Sequence, residues 1–137
     1  MTQSTVFVDT SAYYALMDAA DRFHDDAKKV WHDLIRNDVP MATSNYVVLE
    51  IMALLQNRLG FEAVVLWQRD ILPTAEVVWI EPRTHGLAIN LWQGLGRKNL
   101  SLVDCTSFAV MRADEIRKVF GFDRHFQEQG FVMVPEA

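Results

Sequence analysis

The sequence predicts an α/β domain, a mostly parallel twisted sheet flanked by helices. Three observations predict it. Short runs rich in valine and phenylalanine alternate with longer segments of helical period along all 137 residues. Half of the residues are hydrophobic and 11% are aromatic, enough for one sizeable core. No repeat, low-complexity stretch or linker interrupts the alternation, so residues 1–137 read as one domain.

The elements follow in order. "STVFVD" is a β-branched and aromatic run, expected as a buried strand, and "TSAYYALM" a short helix. "DRFHDDAKKVWHDLIR" places apolar residues at 23, 27, 30, 31, 34 and 35, a helical stripe with Asp21 as its expected N-cap. "VPMAT" is extended. "SNYVVLEIMALLQNRLG" opens on Ser44 or Thr43 and stops near Gly60. "FEAVVLWQRDIL" is a helix ending before Pro73, and "AEVVWI" a strand. "RTHGLAINLWQGLG" carries Leu87, Ala88, Leu91, Trp92 and Leu95 on one helical face. "LSLVD" is expected as a short strand, "CTSFAVMRAD" as a helix, and "KVFGFD" and "FVMV" as the last strands.

In open parallel sheets, ligands bind beyond the carboxyl ends of the strands. Three expected strands end on an acid: Asp9, Asp104 and Asp123. The competing reading of each is a helix N-cap. Glu50 is out of place on its helix, because its same-face neighbours Tyr46, Val47, Ala53 and Leu54 are apolar or aromatic. A buried carboxylate there needs an arginine, a hydrogen-bond network or a metal ion. Clustered carboxylates repel, and a hard divalent cation relieves the repulsion. All-oxygen ligands favour Mg²⁺ or Mn²⁺.

Other chemistry finds less support. The four histidines are scattered, without HExxH or zinc spacing, and "GLGRKN" lacks the phosphate-loop pattern. Cys105 is the single cysteine; it has no obvious base and reads as a small buried residue. The tryptophans at 31, 67, 79 and 92 fall at core-like positions. No leader pattern or bilayer-length apolar run is present, so a cytoplasmic protein with no membrane role is expected. The net charge of −5 argues against indiscriminate nucleic-acid binding, but residues 82–137 carry a net +1. Arg97, Lys98, Arg112, Arg117, Lys118 and Arg124 lie there, as either a polyanion surface or ordinary solvated charge.

Four blocks, "VFVDTSAYYAL", "TSNYVVLEIMALL", "LSLVDCTSFAVM" and "VFGFDRHF", together resemble the conserved blocks of PIN-domain ribonucleases. The nearest likeness is to the VapC toxins of bacterial and archaeal toxin–antitoxin pairs. The resemblance implies a PIN-like three-layer sandwich and Mg²⁺- or Mn²⁺-dependent cleavage of structured RNA, tRNA or rRNA. It matches Asp9, Glu50, Asp104 and Asp123 to the family's acids, with Asp9 and Asp104 the most direct metal ligands and Glu50 and Asp123 completing the site directly or through water. Ser11 matches a hydroxyl that supports the first acid, and Thr106 stands close to Asp104. Arg97, Lys98, Arg112 and Arg124 are candidates for RNA contact. A homodimer and a VapB-like antitoxin are the implied partners. The rival readings are an Mg²⁺-dependent phosphotransfer or phosphatase domain, a housekeeping PIN nuclease without an antitoxin, and a binding module that exposes Phe7, Tyr13, Tyr14 and Tyr46.

Overall fold

The computed structural model describes residues 4–135. Five strands, β1 (Val6–Val8), β2 (Met41–Ser44), β3 (Ala75–Val78), β4 (Lys118–Phe120) and β5 (Val132–Val134), form one sheet in the order β3-β2-β1-β4-β5. Every pairing is parallel. All three residues of β1 are buried, so both of its faces are covered. Strand order reverses between β1 and β4, and the crevice beyond their carboxyl ends is where such sheets bind ligands.

Seven α-helices connect the strands: α1 (Thr10–Met17), α2 (His24–Arg36), α3 (Asn45–Arg58), α4 (Phe61–Leu66), α5 (Pro82–Leu95), α6 (Leu102–Ala113) and α7 (His125–Glu128). Helix α1 packs against α2 and α3, and α5 against α6. Ser44 caps α3, its hydroxyl accepting the Val47 N–H at 3.1 Å, and Asn45 Oδ1 accepts the Ile80 N–H at 2.8 Å. The helix stops at Gly60, where a φ of 101° is open to glycine at little cost.

Five expectations change. Helix α2 starts at His24 without a side-chain cap, because the Asp21 carboxylate accepts the Phe23 N–H at 2.9 Å and closes a turn before the helix. The segment after Leu66 continues as a π turn (Trp67–Ile71) and a 3₁₀ turn (Leu72–Thr74), which takes Pro73 in its first positions. "LSLVD" is not a strand: Ser101 caps α6, and Asp104 lies in its first turn. Of the tryptophans only Trp67 is fully buried, while Trp79 is 73% and Trp92 38% exposed. The proposed aromatic patch is absent, since Phe7, Tyr13 and Tyr14 are core residues.

Candidate active site

Asp9 follows β1 and caps α1. Its N–H donates to the Phe120 carbonyl at 3.0 Å, joining the end of β1 to the end of β4. Asp9 Oδ2 accepts the Ser11 hydroxyl at 2.8 Å and the Ser11 N–H at 3.3 Å. Ser11 Oγ accepts the Phe122 N–H at 3.0 Å in turn. This relay fixes the carboxylate from both strand ends. Asp9 is only 4% exposed. Burial, then the Asp104 charge and, least, that of Asp123 push its pKa from 3.8 to about 7 against the pull of Ser11.

Asp104 reaches the same place by another route. It is the third residue of α6 and forms a reciprocal capping box: Ser101 Oγ accepts the Asp104 N–H at 3.0 Å, and Asp104 Oδ2 accepts the Ser101 N–H at 3.2 Å. The box fixes the side chain and leaves Oδ1 free of it. Burial first, then the Asp123 charge and, more weakly, that of Glu50 raise its pKa against the Ser101 hydrogen bonds.

Asp123 stands three residues beyond β4, half-buried, and its Oδ1 accepts the His125 N–H at 3.0 Å. The His125 ring approaches to 3.9 Å. Glu50 is half-buried and not enclosed by the core as its neighbours suggested, so water meets it directly. No arginine pairs with Glu50 among the described residues, and its field reaches Asp104.

The acids therefore form an electrostatically coupled group at the β1–β4 crevice. Asp9, Asp104 and Asp123 each lie within electrostatic reach of the others, and Glu50 within reach of Asp104. Among the described residues no three His, Cys, Asp or Glu side chains stand close enough together to hold a metal ion as they are placed. The donor set nevertheless suits a hard divalent cation. It is all oxygen, and it holds a buried carboxylate that its protein neighbours leave destabilised as an anion.

The other candidates separate. Thr106 donates its hydroxyl to the Val103 carbonyl at 2.6 Å, a bond within its own helix. Arg112 Nη2 donates to the Gln129 carbonyl at 3.2 Å and to its side chain at 2.9 Å, and its guanidinium lies over Phe108 and Phe131. Eight residues of helix, roughly 12 Å, separate Arg112 from Asp104. Arg97 Nη1 pairs with Glu128 at 2.7 Å. With Lys98 it lines a groove of about 470 Å³ that runs from Trp92 to Ser101, beside the Asp104 cap. Arg124 is exposed next to Asp123.

Two functional positions escaped the sequence reading. A Cβ at Gly121 would lie 3.1 Å from Asp9 Cβ and 3.3 Å from Ser11 Oγ, so the backbone after β4 approaches the acid closely enough that a side chain there would crowd it. The available signal was a glycine inside an aromatic strand run. Ser101 was read as part of a strand, yet S-x-x-D before an apolar run marks a capping box.

A PIN-domain family model matches residues 6–132. The chain is 41% identical over 132 residues to VapC20 of Mycobacterium tuberculosis, a 23S rRNA-specific endonuclease, covering 94% of this chain and 97% of that protein. The crystal structure of VapC20, described as a sarcin–ricin-loop-cleaving toxin, superposes with a TM-score of 0.77 and 34% identity, covering 93% of this chain and 96% of the other. A toxin–antitoxin complex from Klebsiella pneumoniae shares the fold at a TM-score of 0.63 and 18% identity, covering 87% of each chain.

Proposed function

The chain belongs to the PIN-domain family, and from that premise we propose that it is a metal-dependent endoribonuclease, the toxin of a VapBC-type pair, acting on structured ribosomal RNA. One observation carries the reading. Carboxylates from separate elements near the sheet's switch point feel one another's charge, and the most buried of them, Asp9, is held by Ser11 with its pKa raised to about 7. Asp9 and Asp104 would hold Mg²⁺ or Mn²⁺, with Asp123 and Glu50 completing its shell directly or through water. The cation supplies an activated water and charge neutralisation at a scissile phosphate.

The chain's own residues supply position and selectivity. Ser11 fixes one oxygen of Asp9, and the capping box fixes Asp104 Oδ2, so the remaining oxygens are presented rather than searched for. Asp123 is steadied by the His125 N–H. A phosphotransfer role fits less well, because Asp9 is buried beneath its serine bonds and would be a poorly exposed phosphoacceptor. Helix α6 and the Arg97–Lys98 loop adjoin the acids, so that loop can meet the RNA backbone. By analogy with toxin–antitoxin relatives, a VapB-like antitoxin would cover this face, and the toxin would act as a homodimer.

The test maps RNA 5′ ends after incubating purified ribosomes with the wild-type chain or with Asp104→Asn, in Mg²⁺ and in EDTA. One new end in 23S rRNA, seen only with wild type and Mg²⁺, is expected. Equal cleavage by Asp104→Asn would exclude the assignment.

A further inference from the structure

Beside the acids, on the β4–β5 side, lies a second cavity of about 340 Å³. Arg22, Phe23, Asp26, Phe122, Arg124 and Met133 line it. Its inner wall is Gly121–Phe122, the same backbone that binds Ser11 and closes over Asp9. The cavity and the acid cluster therefore share a wall.

The cavity joins stacked aromatic rings to arginines on an otherwise acidic molecule. Phe23 and Phe122 stack with centroids 4.5 Å apart and planes 6° from parallel. The Arg22 guanidinium lies 4.4 Å over the Phe23 ring. The result is a three-layer stack ending on an exposed cationic plane. Arg124, also exposed, stands at the wall beside Asp123, and neither arginine has a carboxylate ion pair among the described residues. Guanidinium planes and aromatic rings are the surfaces on which proteins stack unpaired RNA bases, and arginines bind phosphate. Asp26 adds one acceptor at the rim, suited to the N–H edge of a base.

We propose that this cavity is a nucleotide subsite. It takes one unpaired nucleotide of the RNA next to the scissile bond, with the base layered on the Arg22–Phe23–Phe122 stack, the phosphate at Arg124 and the base edge at Asp26. The proposal extends the endoribonuclease reading by naming where the strand lies beyond the cut. An acidic tail of a protein partner would also meet two arginines, but it would make no use of the stack or of Asp26.

The experiment titrates the metal-free full-length chain with each ribonucleoside 5′-monophosphate and with inorganic phosphate, reading backbone amide resonances. Saturable shifts at Phe23, Phe122 and Arg124 are expected, with nucleotides at least tenfold tighter than phosphate. Arg22→Ala and Arg124→Ala should each weaken binding at least fivefold. Arg36→Ala, a charge-matched control at the far end of α2, should not. Asp26→Asn should change the ranking of the four bases. Phosphate binding as tightly as the nucleotides, shifts confined to other surfaces, equal losses with Arg36→Ala, or response only to a glutamate-rich peptide would each overturn the proposal. The titration needs no cleavage, so the subsite is judged even if Asp104→Asn fails to abolish RNA cutting. Conversely, an active enzyme with an inert cavity leaves the nuclease reading standing.

Discussion

Asp9 is the residue on which function and stability oppose each other. Its pKa is about 7 in the folded chain and 3.8 when unfolded. The native state therefore keeps a proton that the unfolded state releases, and stability of the metal-free protein falls as pH rises from about 4 to about 7. Roughly three pH units correspond to a penalty on the order of 4 kcal/mol. Asp9→Asn keeps an acceptor for Ser11 without the charge, so at pH 8 and without metal its Tm should exceed wild type by about 5 °C or more. That comparison is made by calorimetry, and a lower Tm for the mutant would refute the burial account. The same variant should not cleave RNA. Gly121 makes the complementary case. A methyl group 3.1 Å from Asp9 Cβ must push the β4 exit away from the acid. Gly121→Ala should cost roughly 1–3 kcal/mol in urea unfolding and lower kcat more than it raises KM. Wild-type kinetics would show that the close approach is incidental.

At the scale of elements, α6 carries the most consequence, because its first turn is both cap and active site. Ser101→Ala removes the acceptor for the Asp104 N–H and loosens the reciprocal bond. A loss of about 1 kcal/mol in urea denaturation is expected, with a fall in cleavage larger than that instability explains. Ser101→Thr should restore both, and a cleavage rate untouched by Ser101→Ala would show that the box does not position the acid. This turn also marks the limit of reading elements from sequence. "LSLVD" is apolar, short and followed by a helix, which fits a buried strand as well as a helix start. The N-cap serine decides the matter through a hydrogen bond that periodicity cannot register. Asp104 was thus expected at the crevice for the wrong local reason. The rival reading of a strand-end acid as a helix cap holds literally for Asp9, which caps α1 and belongs to the cluster at once. The strand run "VFV" was legible because its burial on both faces demands continuous apolar sequence, and in "KVF" Val119 and Phe120 are buried while Lys118 is exposed. The stacking of Arg22 and Phe23 on Phe122 was not legible, because it joins residues a hundred positions apart through the order of the strands.

For the whole molecule, the charge pattern and the acid cluster converge on cation binding. The net charge is −5, and its crevice gathers carboxylates without a compensating arginine at its centre. Such a fold is under electrostatic load without metal, and a divalent cation that binds only the folded state should relieve it. Binding must also displace the proton from Asp9, so affinity is linked to pH. Above pH 7 Asp9 is already ionised and affinity should be flat. Below pH 7 the apparent Kd for Mg²⁺ should rise about tenfold per unit, for as long as the proton sits on Asp9 in the metal-free state. Calorimetric titration at pH 6, 7 and 8 tests the slope, and thermal melts give a second readout. At pH 8, 10 mM Mg²⁺ should raise the wild-type Tm and leave Asp9→Asn, Asp104→Asn nearly unmoved. The metal would thereby reverse the metal-free ranking, in which the neutralised acids melt higher. Equal shifts in wild type and the double variant would place the ion elsewhere on this acidic surface. A pH-independent Kd would mean that Asp9 is not among its ligands.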